Sequence, residues 1–269
     1  MLHSSSNQIV RILVINLDAQ KERMAFQTSQ LESLGLVFER IAAYDKNHPT
    51  IFRQDGYWDT WQRTLSEPER ACLLSHQKAW QFIAEGDVPG LVLEDDAVLS
   101  NNIAEILQSL SLFEHAEHVS LETHNRKKLL SKKSWPLTPD TCLRRLFLDR
   151  TGAAAYVLWP QGAQRLLNET KEKCGLADAV ICGSSELVSF QVEPAAAIQM
   201  DQCDIYQVHM KIKTASAITP SQRRLAPKNH IHRLRRIRAQ IQMGWLQIRH
   251  ITNAQRRFVN FDVNRFVKD

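Results

Sequence analysis

Pro89-Gly90-Leu91-Val92-Leu93-Glu94-Asp95-Asp96 is the stretch from which the fold is read. A breaker pair precedes three aliphatic residues, the pattern of a short buried strand, and three carboxylates follow in a row. A sheet interior cannot keep these charges, so they belong beyond the strand's carboxyl end, where ligand crevices of open α/β sheets lie. Side chains alternate along an extended backbone, which predicts Glu94 and Asp96 on one side and Asp95 on the other. Two oxygen donors at that spacing can hold Mg²⁺ or Mn²⁺ against a diphosphate, and the plainer alternative is a solvated acidic turn.

Upstream, Ile9-Val10-Arg11-Ile12-Leu13-Val14-Ile15 is a nearly continuous β-branched run, as in a parallel strand buried on both faces. Asn16-Leu17-Asp18 leaves it, with Asp18 expected as the N-cap of a helix that Met24, Leu31 and Leu34 mark and Gly35 closes. Val37 to Ile41 predicts a second strand ending at Ala42-Ala43-Tyr44-Asp45, so this is a strand-helix-strand unit whose loops share one edge. Residues 46 to 65, with Trp58 and Trp61, carry no period and are expected as a mobile loop. Ser66-Glu67-Pro68-Glu69 is a capping box, and it opens a helix expected to bury Cys72, Ser75, Ala79 and Phe82. His76 sits beside that face as a packing residue, unless the Ser75-His76 pair turns toward the acids.

Downstream, the pattern predicts a helix through Ile103, Ile106, Leu107 and Leu110, then a strand at Val119-Ser120-Leu121 running into Glu122-Thr123. Asn125 to Asp140 reads as a basic loop carrying Arg126, Lys127, Lys128, Lys132 and Lys133. Strands at Arg144 to Leu148 and Ala153 to Leu158 flank Thr151-Gly152, where a glycine lets a ligand approach the backbone. A helix through Ala163, Leu166 and Leu167 follows, and Leu176 to Ile181 then places Asp178 among apolar residues. An acid there is costly without a partner or a task.

The 269 residues, 43% hydrophobic, allow one large domain with an appendage. The net charge of +5 conceals a division: from His209 onward there are 14 Lys or Arg against two Asp, which leaves the first 208 residues with 20 basic and 27 acidic side chains. The expectation is a catalytic body over residues 1–208 and a basic tail over 209–269. Between Asn229 and about Phe261 the tail has Ile231, Leu234, Ile237, Ile241, Trp245, Ile248 and Ile251 at helical spacing among arginines. Such a helix either packs its apolar face on the body or lies in an anionic membrane interface. Met1 to Ser6 lacks a basic leader, and no run nears the roughly 18 apolar residues of a span, so a cytoplasmic protein is expected. Five scattered cysteines without a CxxC pair argue for reduced thiols rather than disulfides or zinc.

Together, several segments resemble the family 25 glycosyltransferases of the lipooligosaccharide galactosyltransferase type. They are Ile15-Asn16-Leu17-Asp18 with Arg23; Ala42-Ala43-Tyr44-Asp45; Leu65 to His76 with Trp80; Leu93-Glu94-Asp95-Asp96; Leu121-Glu122-Thr123; Gly152 with Ala163; and Asp178. Arg70-Ala71 and Ala177-Asp178-Ala179 depart from the family's pattern. The resemblance implies an α/β, GT-A-like nucleotide-binding sheet, Rossmann-like and mostly parallel, here with a basic helical C-terminal extension. It implies inverting transfer of a sugar, galactose first, from a UDP-sugar to a lipid-linked oligosaccharide of the lipopolysaccharide core. Asp96 and Glu94 would then hold Mn²⁺ or Mg²⁺, while Asn16, Leu17, Arg23, Tyr44, Asp45, Ser75, His76, Glu94, Asp95 and Gly152 would surround the nucleotide-sugar. Inversion needs a base opposite the leaving group, with Asp178 the first choice and Glu122 the second. The tail, residues 230–261, would hold the enzyme peripherally on the inner face of the cytoplasmic membrane. A metal-dependent phosphohydrolase would also use clustered acids, but it needs more His and Asp ligands than lie near these strand ends. A nucleic-acid-binding protein would account for the tail but not for the acidic body, and no nucleic-acid partner is expected.

Overall fold

The computed structural model describes residues 9–184, 186–210 and 230–266. In chain order the strands are β1 (Arg11–Asn16), β2 (Glu39–Ala42), β3 (Gly90–Glu94), β4 (Ala97–Leu99), β5 (His118–Ser120), β6 (Lys128–Ser131), β7 (Trp135–Thr138), β8 (Thr141–Leu148), β9 (Ala155–Leu158), β10 (Ser189–Glu193), β11 (Ala197–Gln199) and β12 (Ala254–Arg257). The helices are α1 (Lys21–Ser33), α2 (Glu67–Ala84), α3 (Ile103–Ser111), α4 (Pro160–Glu169), α5 (Ala177–Gly183), α6 (Cys203–Tyr206) and α7 (His230–Arg249). A ten-stranded sheet runs β12-β6-β8-β10-β5-β9-β3-β1-β2, with β7 paired to β8, and β4 and β11 form a separate ribbon. Pairing senses set β8, β9 and β12 against the other seven strands, so the sheet is mixed and mostly one-directional. This is the expected α/β architecture.

The apolar run of β1 is explained by layers on both sides. Ile12 and Val14 join Leu91, Leu93, Leu31 and the buried face of α3 in one core. Leu13 and Ile15 face the other way, with Val92, Tyr156 and residues of α2, α4 and α5. Each such fully buried side chain contributes about 1.5–3 kcal/mol, so both layers hold the register of the central strands. Gly35 closes α1 at φ +68°, and the capping box starts α2, where the Ser66 amide donates to Glu69 Oε2 at 2.9 Å.

Several local readings are corrected. Asp18 does not cap α1; it pairs with Arg40 across the β1–β2 edge. Residues 46 to 65 are anchored rather than mobile, because Ile51, Tyr57 and Trp58 are buried in the second core. The buried face of α2 carries Ala71, Leu74, Ser75 and Trp80, and it leaves Phe82 exposed and Cys72 half-buried. The basic loop is largely strand: Lys128, Leu129 and Leu130 are buried in β6, and β7 follows. The tail helix ends at Arg249, not near Phe261, and the chain then re-enters the sheet as β12 beside β6. Buried Glu193 holds that return by pairing with Arg144 and Arg257, and Phe266 packs with Val98 and Ile198. The break at 208/209 therefore does not separate the sheet from all that follows.

Candidate active site

The carboxyl ends of β1, β2, β3 and β5 share one edge because these strands run the same way, and β9 begins there because it runs opposite. That edge gathers Asn16, Tyr44, Glu94, Glu122 and Gly152. Ligands bind beyond such ends in α/β sheets.

β3 stops at Glu94, and Asp95-Asp96 form a turn leading to β4, so strand alternation ends two residues short of Asp96. Asp95 is buried and knotted into the protein: Arg23 Nη1 donates to Oδ1 at 2.9 Å and Asn16 Nδ2 to Oδ2 at 2.8 Å. Arg23 also lies 3.6 Å from Asp96 Oδ2. Asn16 is used up further by donating to the Gln20 carbonyl and accepting from Arg40. Asn16, Arg23 and Asp95 thus set the shape of the acidic turn. Asp96 is held less completely, since its buried Oδ1 has no hydrogen-bond partner among the described residues. Burial and the nearby Glu94, Asp95 and Asp201 carboxylates push Asp96 up to about 7, against the lowering effect of Arg23. A buried carboxylate oxygen without a donor, crowded by three acids, is the donor set that a hard divalent cation requires.

Glu94 is approached from the second layer by a directional relay. Trp80 Nε1 donates to the Tyr156 hydroxyl at 2.7 Å, that hydroxyl lies 3.0 Å from His76 Nδ1, and His76 Nε2 lies 3.1 Å from Glu94 Oε1. A carboxylate only accepts, so the Nε2 proton is directed to Glu94, and the tyrosine hydroxyl, which accepts from Trp80, can give its own proton to Nδ1. His76 therefore orients Glu94, the exception to the packing role. Its ligand atom and those of Cys72 and Glu94 lie within 4.8 Å of one another. Ser75 donates to the Ala71 carbonyl at 2.7 Å and accepts the Tyr44 amide at 2.9 Å, so it fixes the loop after β2. Leu17 and Tyr44 are half-buried and Asp45 is exposed, around the β1–β2 rim of the edge.

A third group was hidden from sequence reading. Glu122 Oε1 accepts the Ala154 amide at 2.8 Å, and burial above all pushes this acid up to about 8. Lys128, 1% exposed, reaches Ser120 Oγ, the Glu122 carbonyl and Gln191 Oε1, and pairs with Asp149 Oδ2 at 2.5 Å. Gly152 closes the group at φ +148°; a Cβ there would lie 3.4 Å from Asp149 Oδ2 and 3.7 Å from Glu122 Oε1. Asp178 sits in the first turn of α5, its Oδ1 accepting the Ala179 amide at 2.7 Å. Burial raises it to about 6, with the Glu94 and Asp149 charges adding and His76 opposing. Lys128 looked like one charge in a basic run, and only the Leu129-Leu130 that follows it signals a buried strand. Asp149, Asp201 and Tyr156 carry no local signal.

The profile described as "Glycosyltransferase family 25 (LPS biosynthesis protein)" matches residues 9–181. A Haemophilus influenzae protein named "Lipooligosaccharide biosynthesis protein lic2B" is 27% identical over 165 residues, 56% of this chain and 61% of that protein. A protein of Haemophilus influenzae strain Rd named "Putative glycosyltransferase" is 25% identical over 167 residues, 60% of this chain and 57% of that protein. The matches thus span about three-fifths of those relatives.

Proposed function

The chain belongs to glycosyltransferase family 25, and on that premise we propose that it transfers a sugar, galactose first, from a UDP-sugar to a hydroxyl of a lipopolysaccharide or lipooligosaccharide core. The observation that carries this reading is the acidic turn at the end of β3, where Asp96 keeps a buried oxygen without a donor among the described residues while Arg23, Asn16 and His76 fix its neighbours. Asp96 and Glu94 would hold Mn²⁺ or Mg²⁺. Bound there, the metal would supply Lewis-acid neutralisation of the diphosphate. The residues of the β1–β2 rim offered to the nucleoside are Leu17, Tyr44 and the exposed Asp45, whose Oδ1 already accepts from Asn47, because Asn16, Arg23, Ser75 and Asp95 are buried against protein partners.

Inversion requires that a carboxylate take the acceptor proton during a single displacement. Asp178, near 6, is mostly ionised at neutral pH and can accept it. Glu122, near 8, is mostly protonated at that pH, so it suits a hydrogen-bond donor to the sugar better than a base. This favours Asp178, while Gly152 leaves room beside Glu122 and Asp149. The peripheral-membrane role is supported by α7, which has no buried residue and exposes Leu234, Ile237, Ile241, Trp245 and Ile248. No helix among the described residues is long and apolar enough to cross a membrane.

The test is UDP release from a panel of UDP-sugars in the presence of deacylated core oligosaccharide. Metal-dependent turnover of one donor, lost in Asp178→Asn and retained in part by Glu122→Gln, is expected. Turnover of none would remove the proposal.

A further inference from the structure

α7 stands over the body with its sides reversed from those of an ordinary packed helix. At 100° per residue, Leu234, Ile237, Ile241, Trp245 and Ile248 share one side, and all are exposed. The opposite side, with Arg236, Ala239 and Met243, faces a cleft of about 1360 Å³ between α7, the end of β8 and α5, and Arg238 reaches that cleft from the edge of the apolar stripe, about 20° from Trp245. Arg235 fastens the helix by donating to the carbonyls of Asp59 and Trp61. The cleft floor runs along β5 from His118 past Ser120 to Asp149, Gly152 and Ala179; it thus reaches the neighbours of Glu122 and Asp178, while none of Glu94, Asp96, Glu122 and Asp178 is itself in the lining.

Two features of this cleft point to a ligand. Its lining has eight Lys or Arg against four Asp or Glu. Among the described residues, neither Arg150 nor the exposed Arg236 and Arg238 has a carboxylate partner within 4 Å. The floor adds an unanswered polar group, for His118 is 2% exposed and neither ring nitrogen has a hydrogen-bond partner among the described residues. Burying a polar group without a partner is costly, and a ligand hydroxyl there would offset that cost.

We propose that the cleft between α7 and the body is the acceptor subsite, taking a phosphate- or carboxylate-bearing glycan whose anionic groups meet Arg150, Arg236 and Arg238 and whose hydroxyls meet His118. This rests on the transferase reading and adds the acceptor's chemical class and its entry beneath α7. A guanidinium offers paired donors matched to phosphate and carboxylate oxygens. The outward apolar side of α7 would then meet the bilayer while its inner side meets the charged head of an acceptor anchored there.

The experiment is binding by calorimetry of deacylated core oligosaccharide, phosphorylated or stripped of phosphate by hydrofluoric acid, to the full chain and to Arg236→Ala/Arg238→Ala. The phosphorylated form should bind at least tenfold tighter than the stripped form, and the double variant should lose that difference while binding UDP as wild type does. His118→Leu should weaken both forms alike, and its unchanged affinity would take His118 out of the site. Equal binding of the two forms, or a double variant indistinguishable from wild type, would overturn the proposal. A double variant that keeps oligosaccharide binding but loses phosphatidylglycerol vesicles would assign the arginines to lipid headgroups and overturn it as well. Glycan binding as described without any UDP-sugar binding would sink the transferase reading and leave the anionic site standing.

Discussion

Lys128→Met tests the group beneath the candidate site through stability. The substitution keeps the length of the stem and removes an ammonium that touches Ser120, the Glu122 carbonyl, Gln191 and Asp149 at 2.5–3.1 Å. The Asp149 carboxylate, 2% exposed, is left buried without its counter-charge. Removing one member of a buried ion pair costs about 3–5 kcal/mol, most of it the stranded charge rather than the lost attraction. With an urea m-value of about 3 kcal/mol per molar for a chain of this size, the midpoint should fall by at least ~1 M. Adding Asp149→Asn removes the stranded charge while its Oδ1 still accepts the Arg150 amide, 2.7 Å away. The double variant should therefore regain about 1–3 kcal/mol over Lys128→Met. Urea unfolding followed by far-ultraviolet dichroism and tryptophan fluorescence measures all three proteins. A Lys128→Met midpoint within ~0.3 M of wild type, or a double variant less stable than the single, would refute the assignment.

Tyr156→Phe should cost about 1–3 kcal/mol, because it strands Trp80 Nε1 and His76 Nδ1 in the core, and it should lower kcat by releasing Glu94 from its fixed orientation; thermal melts and steady-state kinetics read the two effects. Under the proposed mechanism kcat/KM rises as pH passes through about 6, where Asp178 ionises, and Asp178→Asn lowers the plateau by roughly 10²–10⁴. Glu122 gives the opposite sign in stability. Its folded value near 8 lies above the ordinary 4.5, so the folded state holds the proton more tightly and stability declines from pH 4.5 toward 8, by on the order of 4 kcal/mol, a slope that Glu122→Gln should flatten. Replacing Ile241 and Trp245 by Glu should abolish flotation with anionic liposomes while leaving the melting temperature within ~1 °C, since both side chains are exposed.

The sequence disclosed what periodicity and local chemistry determine. The β1 run, the glycine closing α1, the capping box of α2 and the acids ending β3 were each legible because the cause lies within a few residues. The roles of Asn16, Arg23 and Asp95 were harder to read, because contacts from Asn16 and Arg23 to Asp95 span 79 and 72 residues. Those contacts give Asn16, Arg23 and Asp95 a part in shaping the acidic turn. Lys128 was misread for a related reason: its burial depends on Asp149 and Gln191, which only the sheet order brings near. The return of the chain as β12 was invisible too, since Ala254-Gln255-Arg256-Arg257 has no strand-like alternation and is placed by pairing with β6 and by Glu193.

The central claim is that the turn after β3 holds a UDP-sugar through a divalent cation. Calorimetric titration of UDP-galactose into the full chain, with Mn²⁺ and then with EDTA, tests it directly beside Asp96→Asn of matched melting temperature. Saturable binding that requires the metal and weakens at least tenfold in the variant is expected. Binding that is the same with EDTA, or the same in Asp96→Asn, would contradict it.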